Sequence, residues 1–330
     1  MNPADVGIDL LAIRSAQGVL DSHFAATRVV HAPTLSSGRR DVYLKLESEL
    51  PTASFKVRGA VYALARNLSE RPIGEVVAAS TGNHGAAVAY AGRLLGVKAT
   101  IFLPKRPNPV KAVRISELGG RIVETGASLS AAIDAAYEYC ARTRAFFLHD
   151  AADADVPVGA ATIGAELVAQ VPSVDRVYVP MGDTALIRGV ASAVKQLRPT
   201  AQIIGVVASH APAYYLSWKA GRPVGTESAD TIADGLAVTR PLSANVAAVR
   251  ELVDRVIEVD EEEMLDAIGW LMTHEETIAE PAGAAATAGL RKENPPDGTM
   301  VTLITGANIA PEVLARVDAK RVQSGWRSRS

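Results

Sequence analysis

Hydrophobic residues in this chain come mainly in short runs rich in Val, Ile and aromatic side chains, a pattern typical of buried β-strands. The runs are DVYLKL from residue 41, EVVAAS from 75, ATIFLP from 99, AFFLHD from 145, RVYVPM from 176, QIIGVVA from 202 and MVTLIT from 300. Between most of them lie Ala- and Leu-rich stretches, such as HGAAVAYAGRLLG, that favour helices. This alternation predicts an α/β fold with mostly parallel sheets.

The strand and helix pattern also suggests two domains. Residues 75–151 carry several strands separated by helices, so we expect them to form a small substrate-binding domain. Residues 1–74 and 152–330 would then form the larger, cofactor-binding domain. Ligands of open α/β sheets bind beyond the carboxyl ends of the strands, so we expect the active site in the cleft between the two domains.

Composition and charge narrow the class of partner. The formal net charge is −2 with scattered Lys and Arg, so we expect neither a nucleic acid nor a membrane surface as partner. Cys140 is the only cysteine, which excludes an internal disulfide and a thiolate metal cluster. Charged residues interrupt the N-terminal apolar stretch, so we expect no secretory signal. These features favour a cytoplasmic protein that binds a small molecule.

One lysine stands at an unusual place. In PTASFKVRGA, Lys56 lies at the predicted start of a helix that Thr52 or Ser54 can cap. The helix start carries partial positive charge, so a desolvated ammonium there is pushed towards the neutral, nucleophilic amine. The alternative is a lysine whose stem packs on the helix while its ammonium reaches water.

Three strands run into a turn at which an anion or cofactor could bind. The segment STGNHG follows the strand at 75, GDTALIRG follows the strand at 176, and LITGAN ends the last strand. Free amides at the start of a helix hold carboxylates and phosphates. Each turn alone is equally explained as a simple connection.

Together and in this order, these segments resemble the fold type II pyridoxal-phosphate enzymes of the serine/threonine dehydratase and serine racemase group. The resemblance covers about residues 20 to 315. It rests on LKLESELPTASFKVRGA, STGNHG, GDTAL, TIADGLA, AEPAGAAA and LITGAN. It implies two open, twisted, mostly parallel sheets flanked by helices, and pyridoxal 5'-phosphate as the cofactor.

The resemblance also implies how this cofactor is held. Lys56 would bind its aldehyde covalently, Phe55 would pack against its ring, and Asn83 would bond its 3-oxygen. The hydroxyl of Thr305 would face the pyridine nitrogen. The backbone amides that would take the phosphate belong to Gly182, Asp183, Thr184, Ala185 and Leu186.

The same resemblance assigns the substrate side of the cleft. Ser80, Thr81, Gly82 and His84 would hold the substrate carboxylate, and Lys56 would act as the general base. Racemases of the group have a catalytic serine opposite the lysine. Thr81 stands at that position and keeps the hydroxyl.

Several residues depart from the family pattern. Asp183, Thr184 and Ala185 replace a run of glycines in the phosphate loop, and Asp183 could instead cap the following helix. Ala86 replaces a glutamine that often contacts the substrate carboxylate. Glu280 could line the active site or be an acidic residue at a helix start, so we leave it outside the catalytic set.

A hydroxyl facing the pyridine nitrogen favours expulsion of a β-substituent over storage of charge in the ring. We therefore expect a lyase that converts a small, serine- or threonine-like β-hydroxy amino acid to a 2-oxo acid and ammonia by β-elimination. The alternatives are an amino acid racemase and a cofactor-binding homologue with impaired catalysis.

The resemblance also carries expectations about assembly and metal. We expect a homodimer. Some members bind a divalent cation through a glutamate and an aspartate, but Val207 and Ala213 occupy the corresponding positions. Neither side chain offers an oxygen ligand, so we expect no metal there. The alternative is a site elsewhere that uses Asp234 or Glu227.

Overall fold

The computed structural model describes residues 7–323. The strands of this range are Val29–His31 (β1), Arg39–Leu46 (β2), Glu75–Ala79 (β3), Lys98–Leu103 (β4), Gly120–Glu124 (β5), Phe146–Phe147 (β6), Arg176–Pro180 (β7), Gln202–Ala208 (β8), Arg255–Val259 (β9) and Asp297–Ile304 (β10). Its α-helices are Leu10–Leu20 (α1), Lys56–Glu70 (α2), Asn83–Leu94 (α3), Pro109–Glu117 (α4), Leu129–Thr143 (α5), Val156–Gln170 (α6), Ala185–Leu197 (α7), Ala213–Ala220 (α8), Ser243–Leu252 (α9), Glu261–His274 (α10), Pro281–Glu293 (α11) and Pro311–Gln323 (α12).

The strands form two separate sheets. The larger has the order β1-β2-β10-β7-β8-β9, in which only the β1–β2 pair is antiparallel. The smaller has the order β5-β4-β3-β6 and is parallel throughout. The predicted α/β fold with two mostly parallel, helix-flanked sheets is therefore confirmed. The exact limits of the two domains stay a prediction.

Every strand predicted from the sequence is present, whereas β1, β5 and β9 were missed. All three lie at the edge of a sheet. Their residues are largely half-buried or exposed; β1 has only three residues, and charged side chains interrupt the apolar pattern of β5 and β9. An edge strand needs only one hydrogen-bonded neighbour, so a continuous hydrophobic run is not required there.

The lysine segment is fastened to the end of β10. The amide of Phe55 donates to the carbonyl of Thr305 at 3.0 Å, and the amide of Ala307 donates to the carbonyl of Ala53 at 3.0 Å. Helix α2 then runs closely along α6, where a Cβ on Gly159 would sit 2.6 Å from the carbonyl oxygen of Arg58. These contacts fix the start of α2 at the carboxyl end of the large sheet.

Candidate active site

A cleft of about 670 Å³ opens where the carboxyl ends of the two sheets face each other. Most of the predicted site residues line this cleft, namely Phe55, Lys56, Asn83, His84, Gly182, Asp183, Thr184, Ala185, Leu186 and Thr305. Ser80, Thr81 and Gly82 are not among the described residues that line the cleft. They lie in the partly buried loop between β3 and α3. Asp150 and Glu280 also face the cleft.

Lys56 is paired with a carboxylate that was not predicted. Its Nζ lies 2.7 Å from Oδ2 of Asp150. Burial lowers the pKa of Lys56, but the charge and hydrogen bond of Asp150, together with the charges of Asp183 and Glu280, outweigh this effect and hold the pKa above its usual value. Burial raises the pKa of Asp150, but Lys56 and the two nearby histidines together lower it by more than burial raises it. The expectation of a neutral lysine is therefore wrong for the protein without its cofactor.

The start of α2 also differs from the prediction that Thr52 or Ser54 caps the helix. The N-cap residue is Phe55, and no side chain caps it. Ser54 Oγ accepts only a long bond of 3.4 Å from the amide of Lys56. The amide of Phe55 is bound to the carbonyl of Thr305 at the end of β10.

The side-chain amide of Asn83 is oriented by two later motifs. Its Nδ2 donates to Oε1 of Glu280 at 2.6 Å, and its Oδ1 accepts from Nδ2 of Asn308 at 2.7 Å. Burial raises the pKa of Glu280 to about 7, against the hydrogen bond from Asn83. The segments AEPAG and LITGAN therefore fix the orientation of the predicted asparagine.

The loop after β7 has the shape of an anion cradle. A Cβ on Gly182 would sit 2.0 Å from the carbonyl oxygen of Gly235, so only glycine fits there. Thr184 adopts φ +70, a left-handed conformation that favours glycine. It is the N-cap of α7 and no side chain caps this helix, so the alternative role of Asp183 as cap is wrong.

Two buried donors beside this loop have no partner among the described residues. They are the hydroxyl of Thr184 and Nε of Arg188, one helical turn further along α7. Unsatisfied buried donors are costly, and an anion such as a phosphate can satisfy such donors. Of the two residues, Thr184 lines the cleft and Arg188 lies behind it, so the loop and the Thr184 hydroxyl fit the phosphate of the expected cofactor.

Asp183 is the second carboxyl group near Lys56. Burial and then the charge of Asp150 raise its pKa to about 6, although Lys56 opposes the shift. The buried amide of Asn245 lies between the two acidic segments, with Nδ2 3.2 Å from the carbonyl of Ala151 and 3.4 Å from that of Asp183. Asn245 therefore joins the end of the β6 segment to the phosphate loop.

The side chains of His84 and Thr305 differ in how fully they are hydrogen-bonded within the protein. Nε2 of His84 donates to the carbonyl of Leu148 at 2.9 Å, and burial lowers the pKa of the ring. A substrate carboxylate would therefore meet the backbone amide of His84. The Thr305 hydroxyl lies at the end of β10, 3.5 Å from the carbonyl of Ala282, and this weak contact leaves it able to donate elsewhere.

Sequence reasoning missed Asp150, Arg188 and Asn245. Asp150 had a usable signal, since it ends the AFFLHD run and polar residues at the carboxyl end of a parallel strand face the ligand. Arg188 and Asn245 lie inside helical patterns and have no such signal. Their role depends on contacts between elements distant in sequence.

The residues of the metal expectation can be located in the fold. Val207 and Ala213 are buried apolar residues of β8 and α8. The residues described by the structure contain no group of three or more His, Cys, Asp or Glu side chains placed to hold a metal ion. Separately, no helix within residues 7–323 is long and apolar enough to cross a membrane.

Comparison with known proteins places the chain in a family. The model of the family described as pyridoxal-phosphate dependent enzyme matches residues 20–306. L-threonine ammonia-lyase of Thermotoga maritima is 35% identical over 96% of this chain and 80% of its own length. The catabolic L-threonine dehydratase TdcB of Escherichia coli is 31% identical over 82% of this chain and 83% of its own length.

A solved structure supports the same family assignment. Maize serine racemase matches with a TM-score of 0.87 at 28% identity, covering 97% of this chain and 99% of that one. The fold and cleft are therefore those of a fold type II enzyme. The chain belongs to the pyridoxal-phosphate dependent enzymes, in the serine/threonine dehydratase and racemase group, and its cofactor is pyridoxal 5'-phosphate.

Proposed function

We propose that this protein is an ammonia-lyase that converts a small β-hydroxy amino acid, serine or threonine, to a 2-oxo acid and ammonia by β-elimination. One observation carries the proposal. Lys56 is the one lysine in the described lining of the cleft, and it lies within reach of Asn83, the phosphate loop and Thr305. The names of relatives that match nearly the whole chain support the same reaction.

The cofactor would be held from several sides. Lys56 would bind its aldehyde, Phe55 would pack on its ring, and Asn83 would donate to its 3-oxygen. Thr305 would donate to its ring nitrogen. The amides that would bind the phosphate belong to Gly182, Asp183, Thr184, Ala185 and Leu186.

Lys56 and Asp150 have different roles in proton transfer, and the start of α3 binds the substrate. When bound, pyridoxal 5'-phosphate withdraws electrons from Cα of the substrate. Lys56 takes the proton from Cα, and the carboxylate of Asp150 stabilises the ammonium that results. The amides at the start of α3, with Ser80, Thr81 and Gly82, bind the substrate carboxylate, because the first amides of a helix have no partner within it.

The test is an assay with the L- and D-isomers of serine and threonine, scored for 2-oxo acid and ammonia. The wild type should form both products from at least one isomer, and Lys56→Ala should form neither. Lys219→Ala, which removes an exposed lysine of α8, is the matched control and should keep wild-type activity. Turnover by Lys56→Ala at the wild-type rate would contradict the assignment.

Racemisation is a second candidate because solved racemases of this fold match the chain closely. It would need a proton donor on the side of Cα opposite Lys56, and we propose the hydroxyl of Thr81 for this role. A chiral assay of residual serine separates the two reactions. Inversion that disappears in Thr81→Val while elimination persists, with both reactions lost in Lys56→Ala, would assign the second proton transfer to Thr81.

We further propose that the enzyme works as a homodimer in the cytoplasm. Light scattering of the purified protein measures its mass directly. A mass near that of the 34.6 kDa chain would contradict the dimer.

A further inference from the structure

Three carboxyl groups face the cleft, and they differ in how they are bonded within the protein. Asp150 accepts from Nζ of Lys56 at 2.7 Å, and Glu280 accepts from Nδ2 of Asn83 at 2.6 Å. The carboxyl group of Asp183, by contrast, has no hydrogen-bond or ion-pair partner among the described residues. The oxygens of Asp183 are therefore available to a ligand in the cleft.

Asp183 also lies close to the reacting lysine. It follows β7 at the carboxyl end of the large sheet and is half-buried. Asn245 bonds the carbonyls of Ala151 and Asp183, so it keeps this residue next to the segment of Asp150. Because a β-substituent is only two bonds from Cα, a substrate placed against Nζ of Lys56 brings it to the same side chains.

The surroundings of Asp183 let its carboxyl group hold a proton close to neutral pH. Burial and then the charge of Asp150 raise its pKa to about 6, against the opposing charges of Lys56, His149 and Arg188. An anion bound by the loop would add negative charge and favour the protonated form further. A general acid is most effective when its pKa lies near the operating pH.

The other two carboxyl groups are less suited to give a proton to a substrate. Burial raises the pKa of Asp150, but Lys56 and the two nearby histidines hold it below its usual value, so this group is a carboxylate. Burial raises the pKa of Glu280 to about 7, but this side chain is bonded to Asn83, which we assign to the cofactor. Asp183 is therefore the carboxyl group of the cleft that combines a proton with an open position.

We propose that Asp183 is the general acid of the β-elimination, which gives its proton to the β-hydroxyl while Lys56 takes the proton from Cα. The inference rests on the proposed function and adds a catalytic residue to it. The leaving oxygen needs an acid because hydroxide is a poor leaving group and water is a good one. The carboxylate that remains on Asp183 lies near the new ammonium of Lys56, so the two charges formed in the step stabilise each other.

The step balances without an additional reagent. Lys56 takes the proton from Cα, the electrons of that bond form the Cα–Cβ double bond, and the Cβ–O electrons leave with the oxygen. The oxygen takes the proton of Asp183 and departs as water. The ammonium of Lys56 then returns one proton to the carboxylate of Asp183 as its amine is joined to the cofactor again. The released enamine consumes one water and gives the 2-oxo acid and ammonia.

The test compares two leaving groups on the same substrate skeleton. L-serine needs an acid at its hydroxyl, whereas L-3-chloroalanine loses chloride, which departs without a proton. General acid catalysis contributes about 10²- to 10⁴-fold, so Asp183→Asn should lower kcat/KM for L-serine by about a hundredfold or more. The same variant should keep kcat/KM for L-3-chloroalanine within about threefold of the wild type.

Two further variants serve as controls. Asp150→Asn alters the partner of Lys56, which takes the same proton from both substrates, so both rates should fall by a similar factor. Asp155→Asn makes the same substitution outside the described lining of the cleft and should change neither rate. A general loss through misfolding lowers both rates together, so the ratio between the two substrates isolates the role of the acid.

Protein stripped of cofactor gives two readouts that need no turnover. Protonated carboxyl groups have a distinct C=O absorption in the infrared. The difference spectrum between the wild type and Asp183→Asn should show one that disappears as the pH rises through about 6. Fluorescence titration should give both proteins the same dissociation constant for pyridoxal 5'-phosphate within about threefold, because asparagine leaves the backbone amides of the loop in place. Full ionisation of Asp183 well below pH 6, or a loss of cofactor affinity as large as the loss of serine turnover, would overturn the inference.

The outcomes separate this inference from the proposed function. An equal fall for both substrates in Asp183→Asn, or a serine rate close to that of the wild type, would overturn the inference and leave the proposed function intact. The second result would assign the proton to another donor, such as the cofactor phosphate. Absence of 2-oxo acid from serine and threonine with the wild type would overturn the proposed function and this inference with it.

Discussion

Two groups of charged residues lie at the start of α2, and they are built in opposite ways. The Arg58 cluster consists of Lys45, Glu47, Arg58 and Glu166. The cleft group consists of Lys56, Asp150, Asp183 and Glu280. Only one residue separates Lys56 from Arg58 in the sequence, yet the two side chains belong to different groups.

The Arg58 cluster is balanced and fully bonded. Arg58 donates to both oxygens of Glu47 and to both oxygens of Glu166, and it is only 2% exposed. Lys45 is fully buried and donates to Glu166 at 2.6 Å and to the carbonyl of Thr27 at 2.8 Å. Two positive charges therefore meet two negative ones within the protein.

The cleft group is neither balanced nor fully bonded. In the cleft lining drawn from residues 7–323, one ammonium faces three acids. The guanidinium of Arg188 acts on Asp183 from behind this lining, and its Nε and the hydroxyl of Thr184 have no partner among the same residues. Removing one member of a balanced buried cluster leaves an uncompensated charge in the fold, whereas perturbed and incompletely paired charges in a cleft are typical of a functional site. We therefore assign a structural role to the Arg58 cluster and a role in ligand binding and catalysis to the cleft group.

The largest expected effect comes from breaking the balanced cluster. Arg58→Met leaves Glu47 and Glu166 without their main partner, and removing one member of a buried ion pair costs about 3–5 kcal/mol. Urea unfolding of the protein should show this loss. A loss under about 1 kcal/mol would mean that the cluster is not structural, since exposed pairs contribute that little.

Glu280 in the cleft group should make stability depend on pH in the opposite sense to Glu166 in the cluster. Burial raises the pKa of Glu280 from 4.5 to about 7, so the folded state holds this proton more tightly than the unfolded state. The associated stability is present below about pH 4.5 and is lost as the pH rises through 7, by about 3 kcal/mol.

In protein stripped of cofactor, Glu280→Gln should remove this loss of stability, because the variant has no carboxyl group to titrate. Urea unfolding at several pH values between about pH 5 and pH 8 measures it. The pKa of Asp183 is also raised, so a smaller loss of stability with rising pH should remain in this variant. In the cluster, Arg58 and Lys45 outweigh burial and lower the pKa of Glu166, so its stability is present at neutral pH and is lost only under acid. Identical pH profiles for Glu280→Gln and the wild type would contradict the assignment.

Arg188→Met should weaken cofactor binding rather than folding. If its unpartnered Nε approaches the phosphate, loss of this charged donor raises the dissociation constant of pyridoxal 5'-phosphate about tenfold or more. Fluorescence titration of the stripped protein measures this constant. Arg291→Met, on α11, where the guanidinium packs over the ring of Trp270, is the control and should leave this constant unchanged.

The smallest expected effect is that of Thr305→Val, which keeps the shape and removes one hydroxyl. The loss of one neutral hydrogen bond corresponds to a decrease of up to about tenfold in kcat, with no change in melting temperature. An unchanged rate would show that Thr305 does not face the cofactor ring. A lower melting temperature would give the hydroxyl a structural role instead.

The central strands and the motifs at their carboxyl ends were predictable from the sequence because a buried parallel strand requires a continuous apolar run. The edge strands β1, β5 and β9 were missed because they need no such run. The resemblance supplied the residues of the cleft, although their roles stay predictions. The state of Lys56 could not be predicted, since its pKa depends on Asp150, which is 94 residues away in the sequence.

The central claim is that Lys56, and no other lysine, binds the cofactor covalently. Reduction of the loaded enzyme with borohydride followed by peptide mass spectrometry tests it directly. We predict a phosphopyridoxyl group on the peptide that contains Lys56 and an unmodified Lys45, which stays bound within the Arg58 cluster. Labelling of Lys45 or another lysine, with Lys56 unmodified, would contradict the account.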